Sequence, residues 1–168
     1  MTVLTAQPLT AGAFAPFGDV IEAAGEADRL INDGKCGRYH ALAHADCADG
    51  AVGLNIFRGT AYATPLRPKL VERHPLGSQA FMPLSPEPFV VLVAEDDGGL
   101  PGTLHAFLTA SGQGVNYHRN VWHGVLCPLV PQDFLVVDYV GDAPNLEEYE
   151  FTDPPEIRLP RRPAGDGP

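Results

Sequence analysis

The chain of 168 residues carries 21 Asp and Glu against 11 Lys and Arg, a formal net charge of −10, and 45% of it is hydrophobic. That length suffices for one domain with a core of ordinary size, and the sign of the charge repels phosphate backbones and anionic headgroups, which argues against nucleic acid or a membrane surface as partner. The acidity is uneven, with 8 acidic and 7 basic residues up to Leu84 and 13 against 4 from Ser85, so a small anionic substrate would need a local Arg or Lys.

From the N-terminus, "MTVLTAQPLTAG" lacks the basic start and sustained apolar run of a secretory leader, and the longest apolar run, "FVVLVA", is too short to span a bilayer. A cytoplasmic protein is the expectation. "LTAGAFAPFG" predicts one short helix capped by Thr10 and stopped near Pro16, followed by an extended "GDVIE". From Val52 onward short apolar runs recur at strand-like intervals: "VGLNIF", "PKLVERH", "QAFMPL", "PFVVLVA", "TLHAFLT", "VWHGVLCPL" and "DFLVVDYV". The breaks between them are rich in Pro, Gly, Asp and Ser, and 17 Pro with 18 Gly suit many short strands joined by turns. With no helical crossovers between the runs, the prediction is all-β, an antiparallel sandwich, jelly roll or small barrel with few short helices. A single domain is expected over residues 1–160, and the Pro-rich tail 161–168 is expected to be disordered. Cys36, Cys47 and Cys127 are odd in number and lack CxxC spacing, so they read as small apolar side chains rather than a disulfide framework or zinc cluster.

Two stretches spend inward positions on polar groups. In "VERHPLGSQAFMPL", side chains two apart on a strand share a face, so Glu72 and His74 point together and Arg73 points away. Pro75 and Gly77 force a turn, and the next strand opens with Gln79, which can return to the same side. An edge hairpin with solvated charges is the plainer reading of this stretch. In "GQGVNYHRNVWHG", His118 and His123 are five apart, an odd separation that sends them to opposite faces of an uninterrupted strand. Asn120, which tolerates left-handed backbone, is the natural place for an irregularity that alters this parity. Otherwise His123 goes inward and His118 sits on a rim. The plainer reading here is one satisfied core histidine beside a packed Trp.

Together these stretches resemble the paired motifs of the cupin superfamily, and more closely the ureidoglycolate lyase family, in older usage the ureidoglycolate hydrolases. "ERHPLGSQAF" and "GVNYHRNVWH", about forty residues apart, look like that family's signature pair. "FGDVI", "INDGKCGRYHALA" at Ile31 to Ala43, "LNIFR" and "DFLVVDYVGDAPNLEE" extend the likeness from about Phe17 to Glu148. The resemblance implies a cupin-like double-stranded β-helix. In it Glu72 and His74 take the places of the superfamily's paired histidines, Gln79 that of its glutamate and His123 that of its second-motif histidine. Such a set is weaker and harder than three histidines and a glutamate. A divalent metal on His74, Gln79 and His123, nickel or another ion ahead of zinc, and no organic cofactor, are what the resemblance implies.

The family's reaction splits (S)-ureidoglycolate into glyoxylate and urea, in allantoin and purine breakdown. Cleaving that hemiaminal requires a group to take the hydroxyl proton, a proton for the departing urea nitrogen and a cation for the carboxylate. His74, His118 and His123 are the candidate proton carriers, with Glu72 to orient or accept. Arg73, Arg119, Arg58 and Arg38 are candidate carboxylate clamps, and Gln79 and Asn116 candidate substrate contacts. Cupin-like subunits often pair through N-terminal strands, so a homodimer is expected, in which Arg38 and His40 could complete a neighbour's pocket. His44 and His105 read as surface or satisfied strand residues. An amidohydrolase releasing ammonia and carbon dioxide, another small-acid or sugar cupin enzyme, and a small-acid-binding barrel without turnover are the alternatives.

Overall fold

Burial alternates along the strands and fixes which side faces in. From Gln132 to Val140 the side chains of Gln132, Phe134 and Val136 are buried while Asp133, Leu135 and Val137 are half-exposed, the period of two that a half-covered sheet imposes. A computed structural model describes residues 1–160; the disorder expected for 161–168 lies outside the described residues. In chain order the strands are β1 (Val3–Thr5), β2 (Gln7–Pro8), β3 (Gly18–Ile21), β4 (Arg29–Ile31), β5 (Cys36–Arg38), β6 (Ala51–Gly59), β7 (Leu70–Arg73) and β8 (Gln79–Pro83). They continue as β9 (Phe89–Asp97), β10 (Leu100–Leu108), β11 (Gly114–Tyr117), β12 (Trp122–Gly124), β13 (Cys127–Pro128), β14 (Gln132–Val140), β15 (Glu147–Glu150) and β16 (Glu156–Arg158).

Two large sheets face each other in a cupin-like sandwich. One runs β15-β7-β12-β9-β10-β2 with β13 also on β9, and the other runs β3-β11-β8-β14-β6. The strands read from the sequence are present, and the helix α1 spans Ala11–Phe14, with the Thr10 side chain accepting from the Ala13 amide. Two pairings depart from the expected antiparallel pattern: β1 lies parallel to β16, and β2 parallel to β10. These are two- and three-residue segments from near the ends of the described chain, too short to show a period of their own. β4 and β5 form a separate small hairpin that the sequence reading also missed.

Strand β9 explains the run "FVVLVA". Its Val91 and Val93 join Phe14, Phe81, Phe107, Val115, Phe134 and Val136 between the two sheets. Val90, Leu92 and Ala94 turn the other way, to a second cluster with Leu66, Val71, Ala106, Trp122 and Ile157. A strand covered on both faces has no solvent side and so reads as continuously apolar.

The site is positioned by a crossing between the sheets. β11 belongs to the five-stranded sheet and β12 to the seven-stranded one, so residues 118–121 carry the chain from one to the other. Asn120 takes φ 65 there, its amide donates to the His74 carbonyl at 2.9 Å, and the Val121 amide donates to the His118 carbonyl at 3.2 Å. The irregularity anticipated at Asn120 is therefore a turn, and it ties the second stretch to the first through the backbone. A β-branched residue is strained in this conformation, whereas Gly adopts it freely. Asn120→Val is expected to lower unfolding stability by about 1–3 kcal/mol in urea denaturation, and Asn120→Gly by less than about 1 kcal/mol. Equal midpoints for both variants would show that the turn carries no such constraint.

Candidate active site and metal centre

Glu72 and His123 are cross-strand partners on β7 and β12, and Glu72 shares its face with His74, two residues on. The ligand atoms of Glu72, His74 and His123 all lie within 4.8 Å of one another. His123 Nε2 is 3.7 Å and His74 Nε2 3.9 Å from Glu72 Oε1. Gln79, at the start of β8, brings its Oε1 to 3.2 Å from His123 Nε2. Sequence alternation and the Pro75–Gly77 turn thus bring Glu72, His74 and Gln79 to one side, and β12 adds His123.

The backbone fixes how the rings face. His74 Nδ1 lies 2.7 Å from the Asn145 carbonyl and His123 Nδ1 lies 2.9 Å from that of Val121. A carbonyl only accepts, so each Nδ1 carries a proton and each Nε2 points into the group. Burial pushes His123 down to about 3, with the Val121 carbonyl opposing the shift and His74 adding to it. Its ring is therefore neutral, and the approach to Glu72 is not an ion pair. Burial raises the Glu72 carboxyl, with His74 opposing the shift and Glu148 adding to it. Tyr117, buried and held protonated chiefly by that burial, stacks on His123 with centroids 4.1 Å apart and planes 10° apart.

The result is a pocket whose polar atoms mostly accept. Glu72 Oε1, Gln79 Oε1 and His123 Nε2 offer lone pairs, and His74 Nε2 is buried with no hydrogen-bond partner among the described residues. Gln79 is turned this way because its Nε2 donates to Asp138 Oδ2 at 3.4 Å, while Asn55 Nδ2 donates to Asp138 Oδ1 at 2.9 Å. An orphaned buried nitrogen beside two oxygens and a second imidazole is chemistry that fits a divalent cation of intermediate hardness. Glu72, His74 and His123 can hold such an ion, with Gln79 Oε1 at hand as a neutral fourth donor.

The remaining predicted site residues lie elsewhere. Arg73, on the opposite face from Glu72, is pinned by Glu147 at 2.6 Å and Asp96 at 3.0 Å, with its guanidinium 4.4 Å over the Trp122 ring. His118 stands at the half-exposed surface with its Nε2 3.2 Å from Asp19 Oδ2. Arg119 makes a two-pronged contact with Asp46, its Nε at 2.7 Å, and Asn116 donates to Asp19 at 3.0 Å and to the His44 carbonyl at 3.2 Å. His44, His118 and Arg119 line a shallow cleft of about 360 Å³ with Asp19, Asp46 and Ser78. Arg58 pairs with Asp133 at 2.8 Å on the outer side of β6, and exposed Arg38 meets His40 at 2.9 Å. His105 is satisfied by Glu95 at 3.0 Å. The four arginines named as clamps are thus drawn to partners outside the Glu72 group.

Sequence reasoning missed several residues that shape the site. Asn145 grips the 74–78 turn twice, accepting from His74 through its carbonyl and from the Leu76 amide at 2.7 Å through its side chain. Asp138 carried a signal, since it continues the inward series Gln132, Phe134, Val136. Leu70 and Val125 stand one inward step along β7 and past the end of β12 from Glu72 and His123. They line a cavity of about 510 Å³ with Tyr62, Ala63, Pro65, Arg67 and Lys69. Arg67 is engaged by Glu156 at 2.8 Å, whereas Lys69 is exposed and forms no ion pair among the described residues.

A family model described as ureidoglycolate lyase matches residues 1–158. The chain is 56% identical over 163 residues to a ureidoglycolate lyase of Mesorhizobium japonicum, covering 95% of this chain and 100% of the relative. It is 53% identical over 165 residues to one of Chelativorans sp., covering 96% and 100%, and 54% identical over 156 residues to one of Rhodobacter capsulatus, covering 92% and 97%. Family match, near-complete coverage and the two stretches that build the buried group agree: the chain belongs to the ureidoglycolate lyase family.

Proposed function

We propose that the protein is a carbon–nitrogen lyase that splits (S)-ureidoglycolate into glyoxylate and urea. The observation that carries this reading is the buried group of Glu72, His74, Gln79 and His123, built by the two stretches that look like the family's signature pair. The substrate is a hemiaminal, so the hydroxyl O–H and the C–N bond break as the aldehyde C=O forms, and the departing nitrogen gains a proton. Glu72, which offers one carboxylate oxygen to the group and keeps a second, takes the hydroxyl proton and returns it to the urea nitrogen. His74 and His123 are locked with Nε2 towards the reacting face, and the stacked Tyr117 excludes water from the back of His123. A divalent ion, nickel or another of similar hardness, would be held by Glu72, His74, His123 and Gln79 and would supply Lewis-acid polarisation of the substrate's oxygens. No organic cofactor enters this reading.

The substrate carboxylate is assigned to Lys69, since Arg67 on the same wall is engaged by Glu156. The cavity that Lys69 lines includes Leu70, on the same face of β7 as Glu72, while Arg58, Arg73 and Arg119 are committed to carboxylates elsewhere and Arg38 meets His40. Tyr62, on the same wall, is kept protonated by burial, with Cys127 and Glu72 reinforcing the shift, and can donate to the ureido carbonyl.

The described residues fit one cupin-like domain, and a homodimer is part of the same proposal. On β6 the side chains of Val52, Leu54 and Ile56, 45%, 74% and 59% exposed, alternate outward along an edge strand. An apolar row there invites pairing, and a second copy of the same face covers it with like residues under two-fold symmetry. Thiols at Cys36, Cys47 and Cys127 that form no disulfide suit a reducing, cytoplasmic setting.

Purified protein is expected to form urea and glyoxylate in equal amounts from (S)-ureidoglycolate, above the spontaneous decay, and Glu72→Gln to lower kcat by about 10²–10⁴-fold; ammonia in place of urea would move the assignment to an amidohydrolase. Lys69→Met is expected to raise KM by about tenfold or more with a smaller change in kcat, since binding a carboxylate through a charged hydrogen bond is worth about 1.5–3 kcal/mol. An unchanged KM would remove Lys69 from the carboxylate subsite. The double substitution Leu54→Glu/Ile56→Lys is expected to convert the dimer to monomer in light scattering after size exclusion, and a persisting dimer would place the interface on another face.

A further inference from the structure

Gln79 is the one amide of the group, and it is two-sided: the carbonyl end accepts and the NH₂ end donates. His123 makes the choice matter. Its Nδ1 hydrogen goes to the Val121 carbonyl, so its Nε2 is a bare acceptor. A glutamine free to rotate would turn its NH₂ to that nitrogen and form an ordinary hydrogen bond, and the pocket would be stoppered by a donor. Instead Oε1 faces His123 Nε2 at 3.2 Å, acceptor against acceptor. Such a contact is unfavourable by itself and persists only where something else holds the amide.

What holds it is Asp138. Its carboxylate accepts from Gln79 Nε2 through Oδ2 at 3.4 Å and from Asn55 Nδ2 through Oδ1 at 2.9 Å. Reversing Gln79 would place its carbonyl against that carboxylate, oxygen against oxygen. Asn55, on edge strand β6, keeps Asp138 turned towards Gln79 from the far side.

We infer that Asp138 is a positioning residue that fixes the polarity of Gln79, presenting its carbonyl oxygen to the buried group and so making that group a cation site rather than a closed hydrogen-bond network. This rests on the reading above that Glu72, His74, His123 and Gln79 hold a divalent ion. Second partners of this kind commonly alter metal affinity by about 10–100-fold when removed. Asp138 itself touches neither the ion nor the substrate.

The test is calorimetric titration of the full chain with Ni²⁺, with unfolding midpoints measured alongside. Asp138→Asn can donate as well as accept, so it permits Gln79 to reverse, and Ni²⁺ affinity is expected to fall by about tenfold or more. Gln79→Glu presents an oxygen whichever way it turns, so in the double variant Gln79→Glu/Asp138→Asn the new amide can donate to one carboxylate oxygen while the other faces the group. The double variant is therefore expected to recover Ni²⁺ affinity to within a few-fold of the unsubstituted protein. Affinity within threefold of the unsubstituted protein for Asp138→Asn alone would overturn the inference and leave the metal reading standing. Loss without recovery in the double variant would mean that Asp138 serves only the fold and would likewise overturn it. Absence of Ni²⁺ binding by the unsubstituted protein would overturn both.

Discussion

Everything at this site depends on the backbone tie between the Asn120 amide and the His74 carbonyl. It joins the turn that ends β7 to the turn that opens β12, at the point where the chain leaves one sheet for the other. With that tie in place, His74 and His123 enter the same pocket from two elements that are far apart in sequence. Asn120 in the left-handed region supplies the change of direction that a continuous strand could not. Two carbonyls, of Asn145 and Val121, then remove rotational choice from the two rings. The chemistry follows from main-chain geometry, and the side chains have little freedom left to lose on binding.

Glu72, His74, Gln79 and His123 were legible because each rests on a local rule: side chains two apart share a strand face, a Pro-Gly turn reverses the chain, and Asn permits an irregular residue. The facing of His118 was not legible: an irregularity at Asn120 was expected to let both histidines turn inward, but the turn carries the chain between sheets and leaves His118 on the rim beside Asp19. The arginines were not legible. What Arg73 does is decided by Asp96, Glu147 and Trp122, and what Arg119 does is decided by Asp46, all of them distant in sequence and brought close by pairings that alternation cannot reveal. A guanidinium goes to the carboxylate the fold offers it, and on an acidic surface there are many. Lys69 escaped notice for the opposite reason, because no pattern marks a cation that has no ion-pair partner among the described residues. β1, β2 and β16 were missed because two or three residues contain no period.

The pocket is costly to the fold by its nature. A neutral imidazole, an orphaned His74 nitrogen, a raised carboxyl and an amide oxygen set against a ring nitrogen are each less comfortable than the valines they replace. What surrounds them is stiff: Phe81 and Tyr117 pack edge to face, Tyr117 stacks on His123, and the sheets behind carry Val115, Phe134 and Val136 fully buried. An arrangement of mostly like polarity is stable only inside such a frame, and it is the arrangement that a cation or the donors of a small polar substrate would complete.

Strand β6 connects this site to the outer surface. Its Asn55 points inward to Asp138, and the residues on either side, Leu54 and Ile56, point outward and are exposed. One edge strand, paired among the described residues to β14 alone, thus carries both the last link of the chain that orients Gln79 and the apolar row assigned to a second copy. Edge strands are held on one side alone and are the first part of a sheet to loosen. On the dimer reading, covering Leu54 and Ile56 also steadies Asn55, and through Asp138 the amide of Gln79. Assembly and site polarity then share one strand, with alternation separating the two roles: odd positions serve the pocket and even positions serve the partner.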